Sequence, residues 1–295
     1  MSVESRKIAR SYPLTVRDIG LVDTSVVVAR ANWDILEVRD LGGRLLLREE
    51  VPLENSLLFH PHLHFAGGRY LIAEIGSGIT AAGFRVWDFV EQRWVMTVND
   101  HWDDVAVVGI DVGRALAALS DGKGVDIFDV ARGELMWRLP VLSPASVDFN
   151  PANPELLAVG GDAYLLAREA ADAPLAAVFT RSSVTHERTW PGSPFYGLQL
   201  SWLDSEHLVS LSPQGELGLS NADLEPLLSL GTDADPDAAL SVARGRWILL
   251  HTDENTTVID TSARLPSRML EGFAWIAPDD AVICADSRGV TTLRF

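Results

Sequence analysis

His60, His62 and His64 alternate in the run His60-Pro61-His62-Leu63-His64, and alternate side chains of an extended strand share one face. Three imidazoles on a face could hold zinc, copper or nickel. The run contains no cysteine or carboxylate to complete a tetrahedral set. Phe59-His60-Pro61 also occupies the place that Phe149-Asn150-Pro151 occupies further along the chain. The histidines therefore read as decoration of a polar turn, and no metal is expected.

Thr232-Asp233-Ala234-Asp235-Pro236-Asp237 has the carboxylates of a calcium loop. It lacks the turn glycine and the closing glutamate of the helix–loop–helix type, so it reads as an exposed acidic loop. His101, Asp121 and Ser120 could be drawn as a hydrolytic triad, but no nucleophile elbow, phosphate-binding glycine loop or paired-cysteine motif accompanies them. The single cysteine, Cys284, lies in the apolar run Ala281-Val282-Ile283-Cys284-Ala285 and reads as a packed thiol. No catalytic residue, cofactor or metal is assigned from these groups.

The elements that would position such residues are short, alternating and repeated. Phe84-Arg85-Val86-Trp87-Asp88-Phe89 is followed by a polar turn and Arg93-Trp94-Val95-Met96-Thr97-Val98. Val125-Asp126-Ile127-Phe128-Asp129-Val130 is followed by Glu134-Leu135-Met136-Trp137-Arg138-Leu139. Alternation at period two marks half-buried strands, and recurrence near 40 residues marks a β-propeller. Repeats fall at 19–51, 57–98, 105–139, 146–179, 198–230, 239–270 and 272–295. The expected fold is a single all-β domain of seven four-stranded antiparallel blades, strands a to d running outward from the axis. Within it, Leu57-Leu58-Phe59 reads as a strand a, 164–166 as a strand of the 146–179 blade, and 180–197 as a loop.

These segments resemble the WD-repeat family. Phe149-Asn150-Pro151 through Leu156-Leu157-Ala158-Val159-Gly160 is similar to its strand a, turn and strand b. Ser120-Asp121-Gly122-Lys123-Gly124-Val125-Asp126-Ile127-Phe128-Asp129 is similar to its b–c turn and strand c. Asp100-His101-Trp102 resembles its Gly-His blade entry, with Asp100 in place of glycine. One literal Trp-Asp pair, Trp87-Asp88, is present; Phe128-Asp129, Ile259-Asp260 and Leu219-Ser220 stand at the corresponding places. The resemblance implies that Asp121 pairs with His101 to brace a loop, a structural role for both.

The final repeat stops after its third strand, while residues 6–14 read like the outer strand and exit at 134–142. Residues 1–18 are thus expected to supply the last blade's outer strand and close the ring, covering a bare sheet edge.

The formal charge of −17 over 295 residues argues against nucleic acid and anionic membranes, and suits a protein partner with a basic surface. The charged first dozen residues hold no secretory apolar core, no stretch reaches the roughly 18 apolar residues of a membrane helix, and one cysteine permits no intrachain disulfide. A cytoplasmic location is expected.

Two connections from strand d to the next strand a, 99–104 and 180–197, should open on one rim with the b–c turns. They offer Trp102, Asp103 and Asp104, and Arg188, Trp190, Phe195 and Tyr196. Exposed Trp, Tyr and Arg dominate interface energetics, and long loops in compact domains carry function. The expected function is a non-enzymatic protein-interaction scaffold with these seven residues as contacts. The alternative is a propeller lyase, hydrolase or small-ligand sensor using the central funnel, which needs polar groups converging on the axis.

Overall fold

A computed structural model describes residues 14–32, 35–50, 63–77, 80–99, 106–121, 123–141, 144–161, 176–181, 183–188, 197–231, 234–235, 238–252, 254–262, 267–286 and 288–294. Blade 1 holds β1 (Thr15–Val22), β2 (Ser25–Ala31), β3 (Ile35–Asp40) and β4 (Leu45–Glu50). Blade 2 holds β5 (Leu63–Ala66), β6 (Tyr70–Ser77), β7 (Thr80–Asp88) and β8 (Arg93–Asn99). Blade 3 holds β9 (Ala106–Asp111), β10 (Leu116–Ser120), β11 (Val125–Asp129) and β12 (Glu134–Leu139). Blade 4 holds β13 (Pro144–Phe149), β14 (Leu156–Gly161), β15 (Ala176–Thr180) and β16 (Ser183–Arg188).

Blade 5 follows with β17 (Gln199–Trp202), β18 (His207–Leu211), β19 (Leu217–Asn221) and β20 (Pro226–Gly231). Blade 6 has β21 (Ala239–Ala243), β22 (Trp247–His251), β23 (Asn255–Asp260) and β24 (Arg268–Glu271). Blade 7 has β25 (Phe273–Ile276), β26 (Val282–Ala285) and β27 (Val290–Leu293). Each blade is an antiparallel meander, and the seventh ends at three strands among the described residues. This is the seven-bladed β-propeller that the repeats predict.

The ring follows from period-two alternation on the middle strands. Leu157 and Val159 of β14 pack toward blade 3, whereas Ala158 between them packs toward blade 5. In β22, Ile248 and Leu250 face blade 5, while Trp247 and Leu249 face blade 7. Each blade is apolar on both faces, so it needs a neighbour on both sides. The circle closes where Ile19 and Val28 of blade 1 pack on Ala277, Ala281 and Ile283 of blade 7. Neighbouring blades approach closely near the axis. A Cβ on Gly109 would meet Val147 O at 1.9 Å, and one on Gly160 would meet Leu198 O at 1.9 Å.

Three strand assignments differ from the sequence expectation. The inner strand of blade 2 is Leu63–Ala66, not Leu57-Leu58-Phe59, so His64 lies on a strand rather than in a turn. The outer strand of blade 4 is Ser183–Arg188, and Phe179 belongs to the third strand. Segment 180–197 is therefore not one loop, because its first half is largely a strand. Blade 1 begins at Thr15, four residues earlier than the repeat boundary. Residues 6–12, His60, His62 and 164–166 lie outside the described residues.

Candidate functional site

The inner strands are tied to one another by polar side chains. Asp18 of β1 accepts from its neighbour Ile19 N (2.8 Å) and from Phe65 N of blade 2 (2.8 Å). Asp148 of β13 does the same three junctions on, between blades 4 and 5: Phe149 N, Trp202 N and Ser201 Oγ donate to it at 2.9, 2.7 and 2.7 Å. Gln199 of β17 clasps blade 6, donating to Ala238 O and accepting from Leu240 N, both at 2.7 Å. Burial raises the Asp18 carboxyl to about 7 against the pull of its two N–H donors, and raises Asp148 to about 6.

At the junction of blades 6 and 7, Thr256 Oγ1 donates to Gly272 O (2.9 Å) and accepts from Ala274 N (3.0 Å). A hydroxyl has one proton. The 3.1 Å contact with His251 Nδ1 must therefore be donated by the imidazole, which leaves Nε2 to accept from Ser241 Oγ at 2.9 Å. His251 also stacks on Phe273, with ring centroids 4.4 Å apart. Burial lowers its pKa to about 4, so it is neutral and serves as a structural link.

A second family of contacts explains the Trp-Asp pair. Asp88, at the end of β7, is buried and accepts from Arg69 Nε and Nη2, and from Val90 N and Glu91 N. Asp260, at the end of β23, repeats the arrangement with Arg246. Each arginine precedes a strand-b aromatic and lies against its ring, Tyr70 or Trp247. The arginine hydrogen bonds hold both carboxyls below the usual range.

The sequence-selected residues divide sharply. Trp102, Asp103, Asp104, Trp190, Phe195, Tyr196 and His101 lie outside the described residues. Arg188 ends β16, and its Nη1 donates to Leu224 O of blade 5 at 3.0 Å. Asp121 accepts from Arg138 Nη2 (2.5 Å) and Lys123 N (2.9 Å). Burial opposes its ionisation, but these donors hold its pKa below the ordinary value.

Among the described residues, one concave feature is an open groove of about 470 Å³ on the a–b turn face, between blades 7 and 1. Leu21, Val26, Leu41, Ala277, Ala281 and Ile283 give it an apolar wall. Leu41 is 47% exposed at one edge. Asp23 and Thr24 form the blade 1 lip, where Asp23 N donates to Gly68 O (2.6 Å) and pins the turn. Asp279 and Arg294 form the blade 7 lip and pair at 3.2 Å. Nothing in the sequence reading pointed to this groove, because its lining comes from opposite ends of the chain and meets only when the ring closes. No protein-family model matches this chain, and no curated protein matches it in sequence.

Proposed function

We infer that this protein is a non-catalytic scaffold for protein–protein interaction. The observation that carries the reading is the engagement of the inner-strand polar groups. Asp18, Ser146, Asp148 and Gln199 each bond the backbone of the next blade. Asp111 caps its own turn through Arg114 N. An axial enzyme or small-ligand sensor needs unengaged titratable groups at the funnel, and these carboxylates serve as framework instead.

A braced ring with an open apolar groove has the properties of a rigid platform, on which binding specificity resides in exposed side chains. Trp102, Asp103, Asp104, Arg188, Trp190, Phe195 and Tyr196 belong to this reading on sequence grounds. The −17 charge suits a partner with a basic surface, whose association the acidic residues would accelerate.

Affinity capture from the native cell, with quantitative mass spectrometry, tests the reading. A stoichiometric protein partner whose recovery drops when Trp190 and Tyr196 are both changed to alanine is expected. Absence of any partner above background, with substrate turnover by the purified protein, would overturn it.

A further inference from the structure

Resting on the scaffold reading, we propose that the groove between blades 7 and 1 is a docking site for a peptide segment of a partner, in which an apolar side chain is flanked by Lys or Arg. The volume of about 470 Å³ falls within the range of ligand pockets, roughly 300–1,000 Å³, and fits one or two large aliphatic or aromatic side chains. Its wall offers Leu21, Val26 and Ile283, and its polar groups, Asp23, Thr24, Asp279, Thr292 and Arg294, lie with the two lips and β27.

Charge at the lips selects the flanking residue. Asp23 is exposed at the head of the β1–β2 turn, and no cation among the described residues lies within ion-pair distance of its carboxylate. The opposite lip carries Asp279, paired with Arg294, and Asp280, paired with Arg244 at 3.0 Å. Asp23 is therefore the carboxylate open to an incoming cation. The backbone of the turn that bears it is held by the bond to Gly68 O, so the turn itself need not be ordered on binding.

The groove also differs in kind from the exposed apolar residues of the outer strands. Leu227 and Leu228 of β20, at 52% and 58% exposure, stand on an edge strand, whereas Leu21 and Ile283 line a concavity with a charged rim. A concave apolar floor with an exposed carboxylate at its margin suits one anchor side chain and its neighbouring cation, the usual grammar of a short linear motif.

Panning a displayed library of random 12-residue peptides against the immobilised full-length protein tests this. Enriched peptides should carry Lys or Arg within about three positions of Leu, Ile, Val, Phe or Met. Their synthetic forms should bind at least tenfold more weakly to Asp23→Lys and to Leu41→Glu, yet normally to Glu134→Lys, a charge reversal on the outer strand of blade 3. Acidic consensus peptides, unchanged binding to Asp23→Lys, or no enrichment would overturn the proposal. Photo-cross-linking from a probe at position 24 to residues 1–13 in peptide-free protein would make the chain's own start the occupant, and would overturn it too. A protein partner still captured by Asp23→Lys would leave the scaffold reading intact and remove the groove from it.

Discussion

Arg69 holds Asp88 through both Nε and Nη2, and Arg246 holds Asp260 in the same way four blades further on. In each case an arginine just before the second strand reaches the carboxylate that ends the third, fastening the a–b turn to the end of that strand. Asp88 also caps the turn that follows it through Val90 N and Glu91 N. Asp88→Ala removes these acceptors from a buried position and should cost on the order of 2 kcal/mol or more. Chemical denaturation measures this, and a variant as stable as wild type would show that the pair contributes nothing net.

The pH response has two opposed parts. Asp18 and Asp148, raised to about 7 and about 6, bind protons more tightly in the fold than in the unfolded chain, where the value is about 4. Their contribution to stability therefore falls as pH rises from about 4 to about 7. Asp88 and Asp260 are held low, so their contribution is present above about 4 and is lost as pH falls below it. Melting temperature should decline between pH 5 and pH 8, and Asp18→Asn should flatten that decline. An equal slope in the variant would refute the assignment.

Thr256 is fully buried and its one oxygen joins Gly272 O, Ala274 N and His251 Nδ1. Thr256→Val keeps the shape but strands these groups, and should cost about 2–4 kcal/mol. Thr256→Ser retains the hydroxyl and should cost much less. Equal losses in the two variants would mean that methyl packing, not the hydrogen bonds, holds this junction.

At Gly109 an added Cβ would lie 1.9 Å from Val147 O, as close as one at Gly160 would lie to Leu198 O. Gly109→Ala must push the inner strands of blades 3 and 4 apart, and a loss of about 2 kcal/mol or more is expected in thermal or urea unfolding. A wild-type melting curve would contradict this packing.

Much of the frame was legible because burial follows local alternation. In β11, Val125 and Ile127 are buried while Asp126 and Phe128 are less so, just as the sequence pattern suggests. The outer strand Ser183–Arg188 was hidden because it is mostly exposed and mostly polar, so no apolar rhythm marks it. Leu63–Ala66 was displaced by the more apolar Leu57-Leu58-Phe59 nearby. The braces at Asp18, Gln199 and Thr256 leave no local signal, since each partner lies on another blade. The Arg69–Asp88 tie did have one: Arg-Tyr and Arg-Trp before strand b, each with an aspartate ending strand c.

Ring closure by the start of the chain is a separate expectation. β27 is the outermost described strand of blade 7, and three of its four residues are exposed. Deleting residues 1–13 should lower the melting temperature sharply or cause aggregation through that edge. A truncated protein that melts with the full chain would refute closure by this segment.

The central claim is that a braced, non-catalytic ring presents a localised binding surface. Cross-linking mass spectrometry of the native complex tests it most directly. Cross-links between this chain and its partner should cluster on one rim, either at 99–104 and 189–197 or around the lips of the groove at Asp23 and Asp279. Cross-links spread over the outer strands of all seven blades, or no protein partner at all, would contradict it.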